Sequence, residues 1–285
     1  MVRPIVVGVD GSTPAHAAVE WAAADARRRR LPLRIVHVCE QWQDNVNGMK
    51  YCAGMLQAAA DRARATGDDL EVNTEFLDGN VVERLVGQSV SSQSVVLGSR
   101  GLGGFAGLVI GSVSLAVAGR AEGPVVVVRA ATTVPVHSLI VVGDDGSGAA
   151  REAMLYAIEQ ARARSARVLA VYAWRQPVLS AYGRDYADLF TDSFGEECRA
   201  ARERVDAWRN EFAGVEITGR QVNEHPVAAL ADASAAADLV VVGSRGRGGF
   251  TSAALGSVSH GLLHHAVCPV AVVRPRSGRA ETTGQ

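Results

Sequence analysis

Lysine is almost missing from this 285-residue chain: of its 29 Lys and Arg residues, only Lys50 is a lysine. Walker-type phosphate loops need a lysine directly after a G-x-x-x-x-G segment, and protein kinases need one on a strand. Lys50 lies in Asn-Gly-Met-Lys-Tyr, without that spacing. The sequence therefore argues against a Walker-type NTPase and against the usual kinase chemistry.

Cysteine, net charge and long apolar runs are also scarce. The four cysteines form no Cys-x-x-Cys pair, which is typical of reduced thiols in a cytoplasmic protein. The formal net charge is −1, so no general attraction to nucleic acid or to an anionic membrane is expected. Gly, Ser or Arg interrupts each apolar run before it could cross a bilayer. We therefore expect a cytoplasmic protein with neither a nucleic-acid nor a membrane partner.

The chain contains a long internal repeat. The segment Val-Val-Gly-Val-Asp-Gly-Ser at 6–12 returns as Val-Val-Gly-Asp-Asp-Gly-Ser at 141–147. Farther along, residues 94–129 and 239–274 are identical at 19 of 36 aligned positions. A period of this length indicates a duplicated domain and not a solenoid, whose repeats are much shorter.

The repeat predicts two domains that meet at a polar, proline-containing joint near residues 130–137. The predicted boundaries are 1–132 for the first domain, 137–276 for the second, and 277–285 for a disordered tail. Two segments rich in aromatic residues, 40–52 and 174–192, are interpreted as insertions that form lids or contacts between the domains.

Each copy alternates apolar segments with helical ones. Residues 4–9 form a continuous apolar run followed by Asp-Gly-Ser, which predicts a buried strand and then a helix cap. Strands and helices that alternate in this way predict an α/β fold, with a parallel sheet covered by helices on both faces. The predicted strands are 4–9, 33–38, 71–77, 95–97 and 125–128, then 138–143, 167–173, 215–222, 239–242 and 270–273. The predicted helices of the first copy are 14–30, 54–64, 81–89 and 112–120.

Residues suited to anion binding collect where the predicted strands end. Asp10 and Asp145 follow the first strand of each copy, and Gly-Ser-Arg-Gly follows the fourth. A glycine-rich loop that leads into a helix presents converging N–H groups to a phosphate. The alternative is that these glycines only form tight turns and that the serines only cap their helices. The loops are 98–101 and 243–246, and the Gly-Ser pairs that open the next helices are 111–112 and 256–257.

The full motif is G-x-x-G, nine residues and G-S, with Asp-Gly-Ser after the first strand. It resembles the ATP-binding branch of the universal stress protein family, in the tandem form found in actinobacteria, over residues 3–275. The resemblance implies two Rossmann-like domains, similar to adenine nucleotide alpha hydrolases. Each would have a five-stranded parallel sheet of order 3-2-1-4-5, with helices on both faces. It also implies that the last strands, 125–128 and 270–273, pair the domains.

The resemblance implies a role for each motif residue. The two aspartates would lie near the base or ribose, the backbone after the second strand would contact adenine, and the loops and helix starts would hold ribose and phosphates. The implied ATP-binding residues of the first copy are Gly8, Asp10, Val38, Gly98, Ser99, Arg100, Gly101, Leu102, Gly103, Gly104, Gly111, Ser112 and Val113. Those of the second copy are Gly143, Asp145, Ala173, Gly243, Ser244, Arg245, Gly246, Arg247, Gly248, Gly249, Gly256, Ser257 and Val258.

The implied function is that of an ATP-binding regulator of the stress response or of growth. Its ligand would be ATP, with or without Mg²⁺, and its assembly a cytoplasmic homodimer with a further protein partner that the sequence does not identify. No catalytic residue and no metal site is assigned. Two alternatives stay open: a slow Mg²⁺-dependent ATP hydrolase that uses Asp10 and Asp145, and a signalling scaffold that binds cyclic AMP.

Two other patterns carry weaker alternatives. The segment 101–107 matches a dinucleotide-binding variant, but it follows the fourth strand and not the first. His260, His264 and Cys268 have a spacing that could place three metal ligands on one helix face. Pro269 directly follows Cys268, which predicts that the helix ends before this cysteine.

Overall fold

The computed structural model describes residues 2–39, 46–67, 69–103, 109–129, 136–174, 187–247 and 255–276. The chain forms two compact units. Unit one comprises residues 1–135, 251–255 and 269–285, and unit two comprises 136–250 and 256–268. The last strand of the second repeat therefore belongs to unit one. The predicted tail at 277–285, and residues 40–45 and 175–186 of the predicted insertions, lie outside the described residues.

Both repeats alternate strands and helices as predicted. The elements of the first repeat are β1 (Ile5–Gly8), α1 (Thr13–Arg29), β2 (Leu33–Cys39), α2 (Val46–Arg64), β3 (Val72–Asp78), α3 (Val81–Ser91), β4 (Ser94–Gly98), α4 (Ser112–Arg120) and β5 (Gly123–Val128). Those of the second are β6 (Leu139–Gly143), α5 (Gly148–Arg164), β7 (Arg167–Ala173), α6 (Ala187–Glu211), β8 (Ile217–Val222), α7 (Pro226–Ser234), β9 (Leu239–Gly243), α8 (Ser257–His265) and β10 (Val270–Arg274).

The first repeat forms a parallel sheet of order β3-β2-β1-β4-β5, which confirms the predicted order. Ile5, Val6 and Val7 of the central strand β1 are all fully buried. Because successive side chains of a strand point to opposite faces, both faces of the sheet must be covered. Helix α1 packs with α2, and α3 packs with α4, against this sheet.

The second repeat follows the same order, with parallel pairing of β8, β7, β6 and β9. Its last strand pairs in antiparallel register with β5 in unit one, from Val270 opposite Val127 to Arg274 opposite Gly123. The last strands of the two repeats thus pair with each other, and both lie within unit one. This pairing supplies backbone partners to β5, which would otherwise be an exposed sheet edge.

The helix starts follow from local capping. Ser12 caps α1 because its hydroxyl accepts a hydrogen bond from Ala15 N–H, and Ser147 caps α5 in the same way. Helix α2 begins at Val46, and not at Gly54 as predicted. Asn47 and Gly48 in its first turn are weak helix formers, which is why the sequence alone placed the start too late. Within the described residues, no helix is both long and apolar enough to cross a membrane.

Candidate functional site

An aspartate after the first strand of each repeat ties two loops together. In unit one, Asp10 Oδ1 accepts a hydrogen bond from Ser12 N–H (3.0 Å) and Oδ2 accepts one from Leu102 N–H (2.9 Å). In unit two, Asp145 accepts from Ser147 N–H (2.9 Å) and from Arg247 N–H (3.1 Å). Each carboxylate therefore joins the end of the first strand to the loop that follows the fourth.

Glycines make these close approaches possible. A Cβ atom on Gly101 would overlap Asp10 Oδ2, and one on Gly246 would overlap Asp145 Oδ2. A Cβ on Gly98 would lie 2.6 Å from the backbone carbon of Pro14, because the start of α1 sits directly against the end of β4. A side chain is therefore excluded at Gly98, Gly101 and Gly246, where the backbone approaches its neighbours this closely.

Helices α4 and α8 start without a side-chain cap. Their N-caps, Gly111 and Gly256, have no side chain to accept a hydrogen bond, and Ser112 and Ser257 are exposed at the first helical position. The other four helices with a described N-cap have a side-chain acceptor there: Ser12, Asn80, Ser147 and His225. The alternative that the two serines only cap their helices is therefore excluded, and the first N–H groups of both helices have no side-chain acceptor.

Buried serines two residues farther along anchor these helix starts. Ser114 Oγ donates to the carbonyl of Gly98 (2.6 Å), and Ser259 Oγ donates to the carbonyl of Gly243 (2.7 Å). Gly111 N–H also donates to the Ser99 carbonyl (2.7 Å). The sequence carried a signal for both serines, because Gly-Ser-Val-Ser opens the helix in each copy.

The remaining predicted residues lie around the same strand ends. Val38 is the penultimate residue of β2 and Ala173 is the last residue of β7, and both are half-buried. Gly8 and Gly143 face apolar side chains, since a Cβ on Gly8 would lie 2.7 Å from a Leu97 methyl carbon. In the loops and helix starts, Ser99 and Ser244 are buried, Val113 and Val258 are half-buried, and Arg100, Leu102, Gly103 and Arg245 are exposed. Gly104, Gly248 and Gly249 lie outside the described residues.

A family model described as "Universal stress protein family" matches residues 1–129 and 138–274. The chain belongs to the universal stress protein family. A universal stress protein of Mycobacterium tuberculosis is 36% identical over 292 residues, with 95% of this chain and 96% of that protein covered.

Solved universal stress proteins also resemble the chain. A universal stress protein crystal structure from Archaeoglobus fulgidus shares the fold, with a TM-score of 0.71, 21% identity and coverage of 95% of this chain and 98% of that one. A shorter universal stress protein, solved in complex with cAMP, is 30% identical and covers 46% of this chain and 98% of its own, with a TM-score of 0.39.

The second universal stress protein repeat carries a polar network beside its aspartate. Arg204 on α6 donates from Nε to both carboxylate oxygens of Asp144 (3.0 and 3.3 Å). Arg247 donates from Nη1 to both oxygens of Glu197 (2.8 Å each), and the Tyr172 hydroxyl donates to Glu197 (3.3 Å). The hydrogen bond to Glu197 raises the pKa of Arg247. Sequence spacing did not reveal this network, because its members come from four separate segments.

The first universal stress protein repeat has apolar residues or histidine at the matching positions. Val9, His37 and Leu102 stand where the second repeat has Asp144, Tyr172 and Arg247. The buried ring of His37 places Nδ1 2.8 Å from the carbonyl oxygen of Val9. The two repeats therefore share their backbone ties but differ in the side chains around them.

The histidine pattern of the second universal stress protein repeat does not extend along one helix. The rings of His260 and His264 are 4.8 Å apart, but α8 ends at His265, before the buried Cys268. This confirms that the helix ends before the cysteine. No group of three or more potential metal ligands occurs within the part of the chain that the structure describes.

Proposed function

We propose that each repeat binds one adenine nucleotide at the carboxyl ends of its strands, and that ATP occupancy sets the regulatory state of a stress-response or growth regulator. The observation that carries this proposal is the pair of uncapped helix starts at Gly111 and Gly256. Four other helices satisfy their first N–H groups with a side chain. The two helices that follow the glycine motif, α4 and α8, leave their first N–H groups available to another acceptor.

A nucleotide phosphate suits these helix starts. The positive end of the helix dipole and the N–H groups of the first turn favour a bound anion. The exposed hydroxyls of Ser112 and Ser257 add a donor at each start. Phosphate binding of this kind needs no lysine, which agrees with a chain that has only one.

The aspartates support binding more than turnover. Both oxygens of Asp10, and both of Asp145, already accept backbone hydrogen bonds. Each carboxylate is therefore engaged in holding two backbone segments together, which suits a residue that shapes the site more than one that activates an attacking water. We therefore favour an ATP-dependent regulator over an ATP hydrolase, and place Asp10 and Asp145 as residues that shape the pocket near the base or ribose.

The test is equilibrium dialysis with ATP, in competition with cyclic AMP. Wild type is expected to bind two ATP per chain and to prefer ATP over cyclic AMP. The double variant Gly101→Glu plus Gly246→Glu is expected to lose both sites, since each new side chain would displace the Asp carboxylate beside it. Gly87→Glu, in open space on α3, is the matched control.

Unchanged ATP binding by a folded double variant would contradict the placement of the sites. Absence of ATP binding to wild type would contradict the function. Native mass spectrometry adds the assembly, for which we propose a cytoplasmic homodimer. Mg²⁺-dependent phosphate release at a steady rate would favour the hydrolase instead.

A further inference from the structure

The two aspartate loops differ in the groups that lie over the glycine after the aspartate. At Gly146, Nη2 of Arg247 and Nη1 of Arg204 each lie 3.2 Å from the position of a Cβ atom. At Gly11 of the first repeat, the Sδ atom of Met55 lies 2.7 Å from that position. Two guanidinium groups therefore converge at the second site, where the first site has a thioether.

The two arginines are held with unequal strength. Arg204 and Asp144 form the more buried pair, with side chains 25% and 9% exposed. Arg247 and Glu197 are 51% and 37% exposed. Exposed ion pairs contribute little to stability, because water and salt screen them. The Arg247–Glu197 pair is therefore the one that a ligand can open at low cost.

The backbone of Arg247 is anchored independently of its side chain. Its N–H group donates to Asp145, which anchors the residue in the glycine loop. Its guanidinium uses Nη1 for Glu197, and Nη2 is directed over Gly146. A phosphate group carries more negative charge than a carboxylate, and its oxygens match the planar fork of N–H donors of arginine.

We propose that Arg247 makes the second site selective for nucleotides with several phosphates, by exchanging Glu197 for a phosphate group when the nucleotide binds. Glu197 is thus an internal competitor of the nucleotide, and ATP binding releases it together with the Tyr172 hydroxyl. The first site, with Leu102 at the matching position, discriminates less between ATP and AMP. This inference rests on the proposed nucleotide sites and adds the residues that set their specificity.

The experiment compares the dissociation constants of ATP and AMP by calorimetry, one site at a time. Gly101→Glu isolates the second site and Gly246→Glu isolates the first. In the second site, Arg247→Leu is expected to weaken ATP binding about tenfold, because a charge-assisted hydrogen bond to phosphate is lost. The affinity for AMP is expected to change less than about twofold. Glu197→Gln is expected to strengthen ATP binding about threefold, because the competing charge is removed.

Matched variants separate this role from general charge and folding effects. Glu196→Gln removes an exposed charge one residue away and is expected to leave both affinities unchanged. In the isolated first site, Leu102→Arg is expected to raise the preference for ATP over AMP about fivefold. Arg247→Lys keeps the charge without the planar fork and is expected to fall between wild type and Arg247→Leu.

The outcomes distinguish the inference from the function on which it rests. If both isolated sites bind ATP, but Arg247→Leu and Glu197→Gln leave the ATP-to-AMP ratio within about twofold of the parent, the exchange is wrong and the nucleotide sites stand. If neither parent binds nucleotide, the proposed function fails and the exchange fails with it.

Discussion

The Asp10 carboxylate and the backbone N–H of Leu102, 92 residues apart in sequence, are joined by a hydrogen bond of 2.9 Å. Asp145 and Arg247 are joined in the same way in the second repeat. The bond involves the backbone of the loop residue, so it persists although Leu and Arg differ completely as side chains. This tie is what the two glycine loops have in common.

Replacing the aspartates is therefore expected to affect stability as well as nucleotide binding. Asp10→Ala, and likewise Asp145→Ala, leaves two backbone N–H groups without their acceptor, at a cost of about 1–3 kcal/mol. Asp10→Asn keeps one carbonyl oxygen and should lose less. Thermal melting of the three variants measures this order. Equal melting temperatures for Asp10→Ala and wild type would contradict it.

Two glycines of the first repeat should respond to alanine with opposite signs. Gly98→Ala brings a Cβ to 2.6 Å from the backbone of Pro14 and should cost about 2–3 kcal/mol, because neither backbone segment can move aside. Gly87 lies in the exposed middle of α3 with open space around it. Gly87→Ala should stabilise by about 0.5–1 kcal/mol through helix propensity. Urea unfolding of both variants tests the pair.

The repeat and the meeting of the glycine loops were predictable from sequence because both copies carry the same local pattern. The strand order was predictable only through the resemblance to the universal stress protein family. Asp-Gly-Ser after a buried strand and Gly-Ser before a helix are local signals, and parallel strands bring their carboxyl ends to one edge. The uncapped helix starts at Gly111 and Gly256 could be recognised only from the backbone structure. In sequence, Ser112 and Ser257 are equally good caps.

The polar network of the second site was not predictable for a physical reason. Asp144, Tyr172 and Arg204 come from a loop, a strand and a long helix, and no spacing relates them. The change from Val9 to Asp144 is visible in the aligned copies. Only the packing of α6 shows that Arg204 pairs with Asp144. Long-range side-chain pairs depend on how helices rest on the sheet, which local patterns do not encode.

Tyr172 should make stability depend on pH in the alkaline range. Burial, and next the charge of Glu197, raise its pKa from 10.0 to about 12. Above pH 10 the unfolded state releases a proton that the folded state keeps. Stability therefore falls from pH 10 to 12, by about 1.4 kcal/mol per pH unit. Tyr172→Phe should reduce this loss of stability between pH 10 and 12, whereas Tyr51→Phe, at an exposed position, should leave it unchanged. Denaturant midpoints measured across this range provide the comparison.

The cysteines should react slowly in the folded protein. All four are buried, and burial raises the pKa of Cys52 and of Cys198. Since the thiolate is the reactive form, a raised pKa and restricted access both slow the reaction with Ellman's reagent. We expect slow release of the chromophore under native conditions and rapid modification of four thiols in guanidinium. Rapid native reaction at Cys52 or Cys198, identified by peptide mass spectrometry, would contradict these environments.

Arg276, just beyond β10, should stabilise unit one through the end of α3. Its guanidinium donates to the carbonyls of Ser89 (3.2 Å), Ser92 (2.7 Å) and Gln93 (3.2 Å). These carbonyls lie at or after the helix C-terminus, where acceptors lack intrahelical partners and the dipole favours a cation.

Arg276→Ala is therefore expected to destabilise unit one by about 1–3 kcal/mol, because several charge-assisted hydrogen bonds are lost together. Arg276→Lys keeps the charge but not the planar fork, and should recover part of the loss. Arg120→Ala removes an exposed arginine from the last turn of α4 and serves as the matched control. Hydrogen exchange of the α3 amides locates the effect. If Arg276→Ala has the same melting temperature as Arg120→Ala and the α3 amides still exchange slowly, the contact does not stabilise the unit.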